Sequence, residues 1–194
     1  MSTVKDITRV MLDIDDVLNN FTSHAMRYLG CDNVEFPVEC GYNIVAAINL
    51  AHPIHNKWTP NQVWTHLGER LWLDIPVSDL CADVVWDCVE LVGQDNVFLC
   101  SSLTKNHRCT KGKLGWMDRC LPGWLRDQYI LTPHKYLLAN ENTLLIDDYH
   151  GNTSDFEEAG GRTILVPRPW NPNNRYNTKS YVKGALSHLR KFKN

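Results

Sequence analysis

The chain has 194 residues, 43% of them apolar and 22% charged, with 20 Lys and Arg against 22 Asp and Glu for a formal net charge of −2. That length suits one domain, or one domain with a modest insertion, and suffices to bury a sizeable core. The near-neutral balance excludes a general pull toward nucleic acid or an anionic membrane, and no apolar run approaches the ~20 residues needed to span a bilayer.

In chain order, the first element is the continuously apolar run TRVML, residues 8–12, which reads as a strand covered on both faces. Three aspartates in four positions follow at once: Asp13, Asp15 and Asp16. From about Asn19 to Pro76 the strand pattern stops, and Trp, His, Asn and Pro become frequent. Within this stretch TPNQVWTHLGERLW predicts a helix capped by Thr59 with Pro60 in its first turn. Trp64 and Trp72, eight apart, fall on one face of it and are expected in a local core. The stretch 19–76 is therefore read as a small, mainly helical insertion after the first strand. Residues 1–18 and 77–194 then form the main domain.

Beyond Pro76 strands and helices alternate. SDLCADVVWDCVELVGQD has helical spacing, with Ser78 or Asp79 as cap. The strand NVFLC follows and ends at Ser101 and Ser102. KGKLGWMDRCL is the next helix, DQYIL a weaker strand and TLLID a strong one, ending at Asp147 and Asp148. NTSDFEEAG is a helix with Asn152, Thr153 or Ser154 as cap and Gly160-Gly161 as its stop, leading into the strand RTILV. After the Pro- and Asn-rich loop VPRPWNPNNRYN comes the basic helix TKSYVKGALSHLRKFK, for which a solvated amphipathic face is the simplest reading. Strands alternating with helices define an α/β fold with an open, mostly parallel sheet and helices on both faces.

The seven cysteines are odd in number, form no CxxC pair and sit partly in apolar runs, as Cys100 does. They read as buried thiols of a reducing compartment. MSTVKDITRV lacks the apolar core of a signal peptide, and a cytoplasmic protein is expected. His52, His55 and His66 suggest zinc only superficially. Pro53 breaks the spacing and no Cys pair accompanies them.

Chemistry in open α/β sheets gathers beyond the carboxyl ends of the strands. Any one aspartate there is most simply a helix cap or a solvated loop residue. Here DxDD, Asp-Asp and Ser-Ser stand at three strand ends, far apart in sequence. Carboxylates brought together repel, and a hard divalent cation such as Mg²⁺, held by one or two carboxylates plus a substrate phosphate, relieves that repulsion.

In order, LDIDDVL, FLCSS, Lys113 and LLIDD resemble the four motifs of the haloacid dehalogenase-like phosphohydrolases. Among these the chain is most similar to the 5'(3')-deoxyribonucleotidase-like proteins. DIDDVLNNF keeps their first-motif register with Phe21 in its aromatic position, FLCSS resembles their second, and KLGW repeats a Lys followed by Trp. The chain departs from that pattern at Asp16, which replaces a glycine, at Asn20, which replaces an acidic residue, and at Leu103, which replaces a proline.

The resemblance implies a doubly wound sheet with the insertion as a cap, and a Mg²⁺-dependent 5'-nucleotidase-like phosphatase. It implies Asp13 as nucleophile and Asp15 as general acid, whose pKa must rise from a reference near ~3.9. It implies Ser101, backbone N–H groups around Ser102, and Lys113 as phosphate ligands, with Lys113 also neutralising Asp13. Mg²⁺ would rest on Asp13, the Asp15 carbonyl and Asp148, with Asp147 a ligand or an orienting neighbour. Phe21 would stack on the substrate. The expected partner is a small phosphate monoester, a nucleotide first; neither membrane nor nucleic acid is expected, and a homodimer is left open. Other readings are a sugar phosphatase, a phosphatase for nucleic-acid 3'-ends, or a noncatalytic nucleotide- or metal-binding protein.

Overall fold

In a computed structural model, described here over residues 6–32, 35–52, 57–104, 106 and 108–191, five strands form one parallel sheet. They are β1 (Arg9–Leu12), β2 (Val97–Ser101), β3 (Tyr129–Leu131), β4 (Thr143–Asp147) and β5 (Arg162–Leu165), in the order β3-β2-β1-β4-β5. All five lie within or overlap the runs read from sequence. The chain steps outward from β1 to β3 and then returns to the other side of β1. The strand order therefore reverses between β1 and β4, which is where open α/β sheets bind ligands.

The strands are short and apolar because both faces are covered. Side chains alternate across the sheet. Val10 and Leu12 join Val97, Leu99, Leu144 and Ile146 in the larger core, whereas Met11 faces the smaller one with Cys100, Leu145 and Phe156.

The helices are α1 (Phe21–Tyr28), α2 (Ile44–Ala51), α3 (Pro60–His66), α4 (Glu69–Asp74), α5 (Cys81–Val92), α6 (Arg108–Cys120), α7 (Gly123–Arg126), α8 (His150–Glu158) and α9 (Thr178–Lys191). None of the described helices is long and apolar enough to cross a membrane. On the larger core's side, α9 lies along α5 through Lys179–Asp83 (2.7 Å) and Arg190–Asp87 (3.1 Å).

Several local expectations are corrected. The helix expected over residues 60–72 breaks into α3 and α4 at Leu67-Gly68, so Trp64 and Trp72 do not share a helix face. Trp72 is buried while Trp64 borders a cavity. Thr59 does cap α3, in a reciprocal pair with Gln62. Neither Ser78 nor Asp79 caps α5, because the Ser78 hydroxyl donates instead to the Val17 carbonyl at 2.7 Å. Asn152 lies inside α8 rather than capping it, and donates to Asp147 at 3.0 Å.

Residues 19–76 contribute no strand to the sheet among the described residues; they form α1 to α4 and a short 3-10 turn at Val38–Cys40. Their two ends are pinned together. Asn19 and Val77 form an antiparallel bridge, and Asn20 N–H donates to Pro76 O at 3.0 Å. Ser78 N–H closes the neck on Leu18 O at 2.9 Å. Packing then welds the last helix of the segment, α4, to α6. Gly112 lies so close to α4 that a Cβ there would stand 2.5 Å from the Trp72 Cβ and nearer still to the Glu69 carbonyl. The Trp116 indole donates to Ile75 O at 2.8 Å, and Arg119 donates to Leu73 O.

Candidate active site

The register of β1 against β4 pairs Leu12 with Ile146, which sets Asp13 and Asp147 side by side one residue further on. Asp13 N–H donates to Ile146 O at 2.9 Å and extends the ladder past the strand. Asp13, Asp147 and Asp148 are all buried, and each offers an oxygen within 4.8 Å of the others. Burial pushes the Asp13 carboxyl up to about 7; Lys135 opposes the rise, and Asp147 and Asp15 add to it. Burial, then Asp16, Asp147 and Asp13, hold the Asp148 carboxyl well above the usual carboxylate range, against the Trp170 hydrogen bond.

The cation found inside this cluster is Lys135, which sequence reasoning did not single out. Its ammonium bridges Asp13 at 2.8 Å and Asp147 at 2.7 Å. Burial disfavours its charge, but Asp13 and Asp147 outweigh that and raise its pKa. Lys135 sits in a 3-10 turn between β3 and β4 whose next residues, Tyr136 and Leu137, are exposed. A lysine in such a turn ordinarily points to water, so nothing local marks it.

Lys113 is placed differently from the expectation. It is buried on α6, where its ammonium donates to the Asp15 carboxylate, to Ser101 Oγ at 2.9 Å and to Ser102 O at 2.8 Å, and lies 4.6 Å from the Trp72 ring centroid. It therefore pairs with Asp15, and the lysine on Asp13 is Lys135. The reason is topological: α6 follows β2, so Lys113 reaches the β2 end, whereas the turn before β4 brings Lys135 under the β1–β4 junction. The Ser102 hydroxyl is spent on Thr132 O at 3.2 Å.

Asp147 is fully engaged. One oxygen accepts from Lys135 and Asn152, and the other accepts Tyr149 N–H at 2.8 Å. Asp148 receives one hydrogen bond on Oδ2, from the Trp170 indole at 2.7 Å. Of the pair, Asp148 is the one with an oxygen to spare. When all three are ionised, the carboxylates exceed the one ammonium by two negative charges, the charge of one divalent cation, and hard oxygen donors suit Mg²⁺. The residues present fit such an ion.

Asp16 has φ +55, the left-handed region that a glycine would enter freely, and aspartate tolerates it better than most residues. Its carboxylate caps α1 from outside the helix, accepting Thr22 N–H at 2.9 Å and Thr22 Oγ–H at 2.6 Å. Burial raises its pKa to about 6 against those hydrogen bonds. Arg168 donates to Asp16 O at 2.6 Å, and Asn19 Oδ1 accepts Asp16 N–H at 3.1 Å. The loop carrying Asp13 and Asp15 is thereby fixed to α1 and to the segment after β5.

A cavity of about 560 Å³ opens over Asp15, Ser102 and Lys113, walled by Phe21, Tyr42, Trp64 and Trp72. A second, of about 550 Å³, shares Phe21, Tyr42, Pro60 and Trp64 with it and reaches Phe36, Trp58 and Trp170. Phe21 borders both, but one of its faces is already covered by Trp72, with centroids 4.5 Å apart and planes 8° from parallel. Tyr42, one of the insertion's aromatic residues on which a flat base could stack, also stands at the site, as does Trp170, which sequence reasoning did not single out. His66 forms an edge contact with Trp58 at 4.8 Å; His55 lies outside the described residues. Among the described residues, the group composed as a metal site is the aspartate cluster.

No family model and no curated protein matches the chain. Similar solved structures include a HAD-family enzyme from Bacteroides thetaiotaomicron, 15% identical with a TM-score of 0.44, covering 87% of this chain and 97% of that one. Another is described as a predicted HAD-like family hydrolase from Porphyromonas gingivalis, 18% identical with a TM-score of 0.45, covering 96% of this chain and 99% of that one.

Proposed function

We propose that the protein is a Mg²⁺-dependent phosphomonoesterase of the haloacid dehalogenase-like kind, acting on nucleoside monophosphates, with residues 19–76 as its cap. The observation that carries this reading is the buried Asp13, Asp147 and Asp148 cluster at the β1–β4 switch point, whose carboxylates when ionised exceed the one ammonium of Lys135 by two charges.

Asp13 and Asp148 would hold the ion, which when bound would offset the repulsion between a dianionic phosphate and the carboxylates. Asp13 attacks phosphorus, the bond to the leaving oxygen breaks, and that oxygen takes a proton from Asp15, which would have taken it up as Lys113 turned from it to the incoming phosphate. Water then attacks the aspartyl phosphate, Asp15 accepts its proton, and inorganic phosphate leaves as the bond to Asp13 breaks. Ser101 and Lys113, joined at 2.9 Å, face the transferring group from the β2 side. Lys135 fixes Asp13 against Asp147. Apart from Asp15 and Lys113, which pair with each other, no charged side chain among the described residues lines the cavity over them. A neutral flat leaving group such as a nucleoside suits that lining better than a polyhydroxyl sugar or a second phosphate.

The test is release of phosphate from p-nitrophenyl phosphate with Mg²⁺, expected in the native protein and lost in Asp13→Asn. Turnover that survives this substitution removes the nucleophile assignment. A panel of nucleotides, sugar phosphates and 3'-phosphorylated oligonucleotides then ranks the substrates, with nucleoside monophosphates expected first.

A further inference from the structure

Tyr42 comes from the insertion, in the turn between Gly41 (φ +53) and Asn43, whose side chain caps α2 by accepting Ala46 N–H at 3.0 Å. Both neighbours are thus committed to fixed geometry. The ring stacks on Tyr149, the residue after Asp148, with centroids 4.0 Å apart and planes at 23°, and meets Trp170 edge-on at 6.5 Å. The residue as a whole is 52% exposed because its ring borders both cavities. Burial first, and then the charges of Asp148, Asp13, Asp147 and Asp16 in that order, raise the pKa of its hydroxyl.

No described residue accepts a hydrogen bond from that hydroxyl. The ring lines the cavity over Asp15, Ser102 and Lys113, so the hydroxyl can meet an acceptor that enters it. The acceptor missing from the site is the one the reaction brings. We propose that Tyr42 is a catalytic residue supplied by the insertion, its hydroxyl donating a hydrogen bond to an oxygen of the transferring phosphoryl group. This rests on the phosphomonoesterase reading. It adds that the insertion touches the reacting group itself as well as the leaving group, with the Tyr42–Tyr149 stack setting the donor's position.

The test is Tyr42→Phe, which keeps the ring and its stack and removes only the hydroxyl. With p-nitrophenyl phosphate and Mg²⁺, kcat/KM is expected to fall about 10- to 100-fold, the loss typical of a neutral donor on a charged oxygen, while the melting temperature is unchanged. Binding of inorganic phosphate in the presence of Mg²⁺, measured by calorimetry, is expected to weaken by a similar factor. This second measurement does not depend on turnover. Failure of the phosphomonoesterase reading appears as an Asp13-independent or absent reaction in the native protein, whereas failure of the Tyr42 assignment appears as Tyr42→Phe matching the native protein within twofold. If the native protein binds no phosphate, or if Tyr42→Phe binds it equally well, the assignment is overturned. Tyr42→Ala, which also removes the stack, is expected to lose at least as much as Tyr42→Phe.

Discussion

Replacing Lys135 by Met tests the electrostatic account of the aspartate cluster. Methionine keeps most of the apolar stem and removes the ammonium that bridges Asp13 and Asp147 at 2.8 and 2.7 Å. Removing one partner of a buried ion pair costs about 3–5 kcal/mol, because the remaining charges stay buried without compensation. Protonation limits that cost. The Asp13 carboxyl already titrates at about 7, and without Lys135 it moves higher, so one carboxylate can take up a proton for about 1.4 kcal/mol per pH unit. The loss is therefore expected to be full at pH 8 and to shrink toward pH 6. For a chain of 194 residues, at roughly 2–4 °C per kcal/mol, that is about 6–20 °C in Tm at pH 8. The assay is urea and thermal unfolding of metal-free protein at both pH values. A loss below about 1 kcal/mol at pH 8, or one equal at pH 6 and pH 8, refutes the reasoning.

Three further outcomes follow from the same geometry. In metal-free protein, Asp13 and Asp16 titrate at about 7 and about 6, above their ordinary 3.8. The folded chain thus holds protons that the unfolded chain has released, and stability falls as pH rises from about 4 to 7; Mg²⁺ should flatten that slope in unfolding measurements. Trp170→Phe removes the indole donor on Asp148 Oδ2 and is expected to weaken Mg²⁺ affinity about 10- to 100-fold, read by Mg²⁺-dependent thermal stabilisation. Gly112→Ala drives a methyl into α4 and should destabilise by about 1–3 kcal/mol in urea melts, lowering activity with it, because Lys113 is the next residue.

The sheet was legible because both-face burial writes continuous apolar runs into sequence, and the reversal of strand order then brings Asp13 and Asp147 together. Strand-end residues carry that signal; residues delivered from turns do not. Lys135, Tyr42 and Trp170 lie in a 3-10 turn, a loop and a Pro-rich segment, where no period marks what points inward. Lys113 is expected beside Asp13 and stands beside Asp15 instead, since spacing along α6 says nothing of which strand end it meets. Gly68 was the visible break in the helix expected over residues 60–72. Trp64 and Trp72 nevertheless fit a helical period across it.

The weld between α4 and α6 decides what can move. Swinging the whole 19–76 segment aside would tear Trp116 from Ile75 and lift α4 off Gly112, exposing buried Trp72 and unseating Lys113 beside it. The turn at Gly41–Tyr42 meets the main domain through the aromatic rings of Tyr149 and Trp170, and those surfaces can part without breaking a backbone ladder. The floor of the cavity is thus shared between α4 and α6 and keeps its shape only while the two stay together.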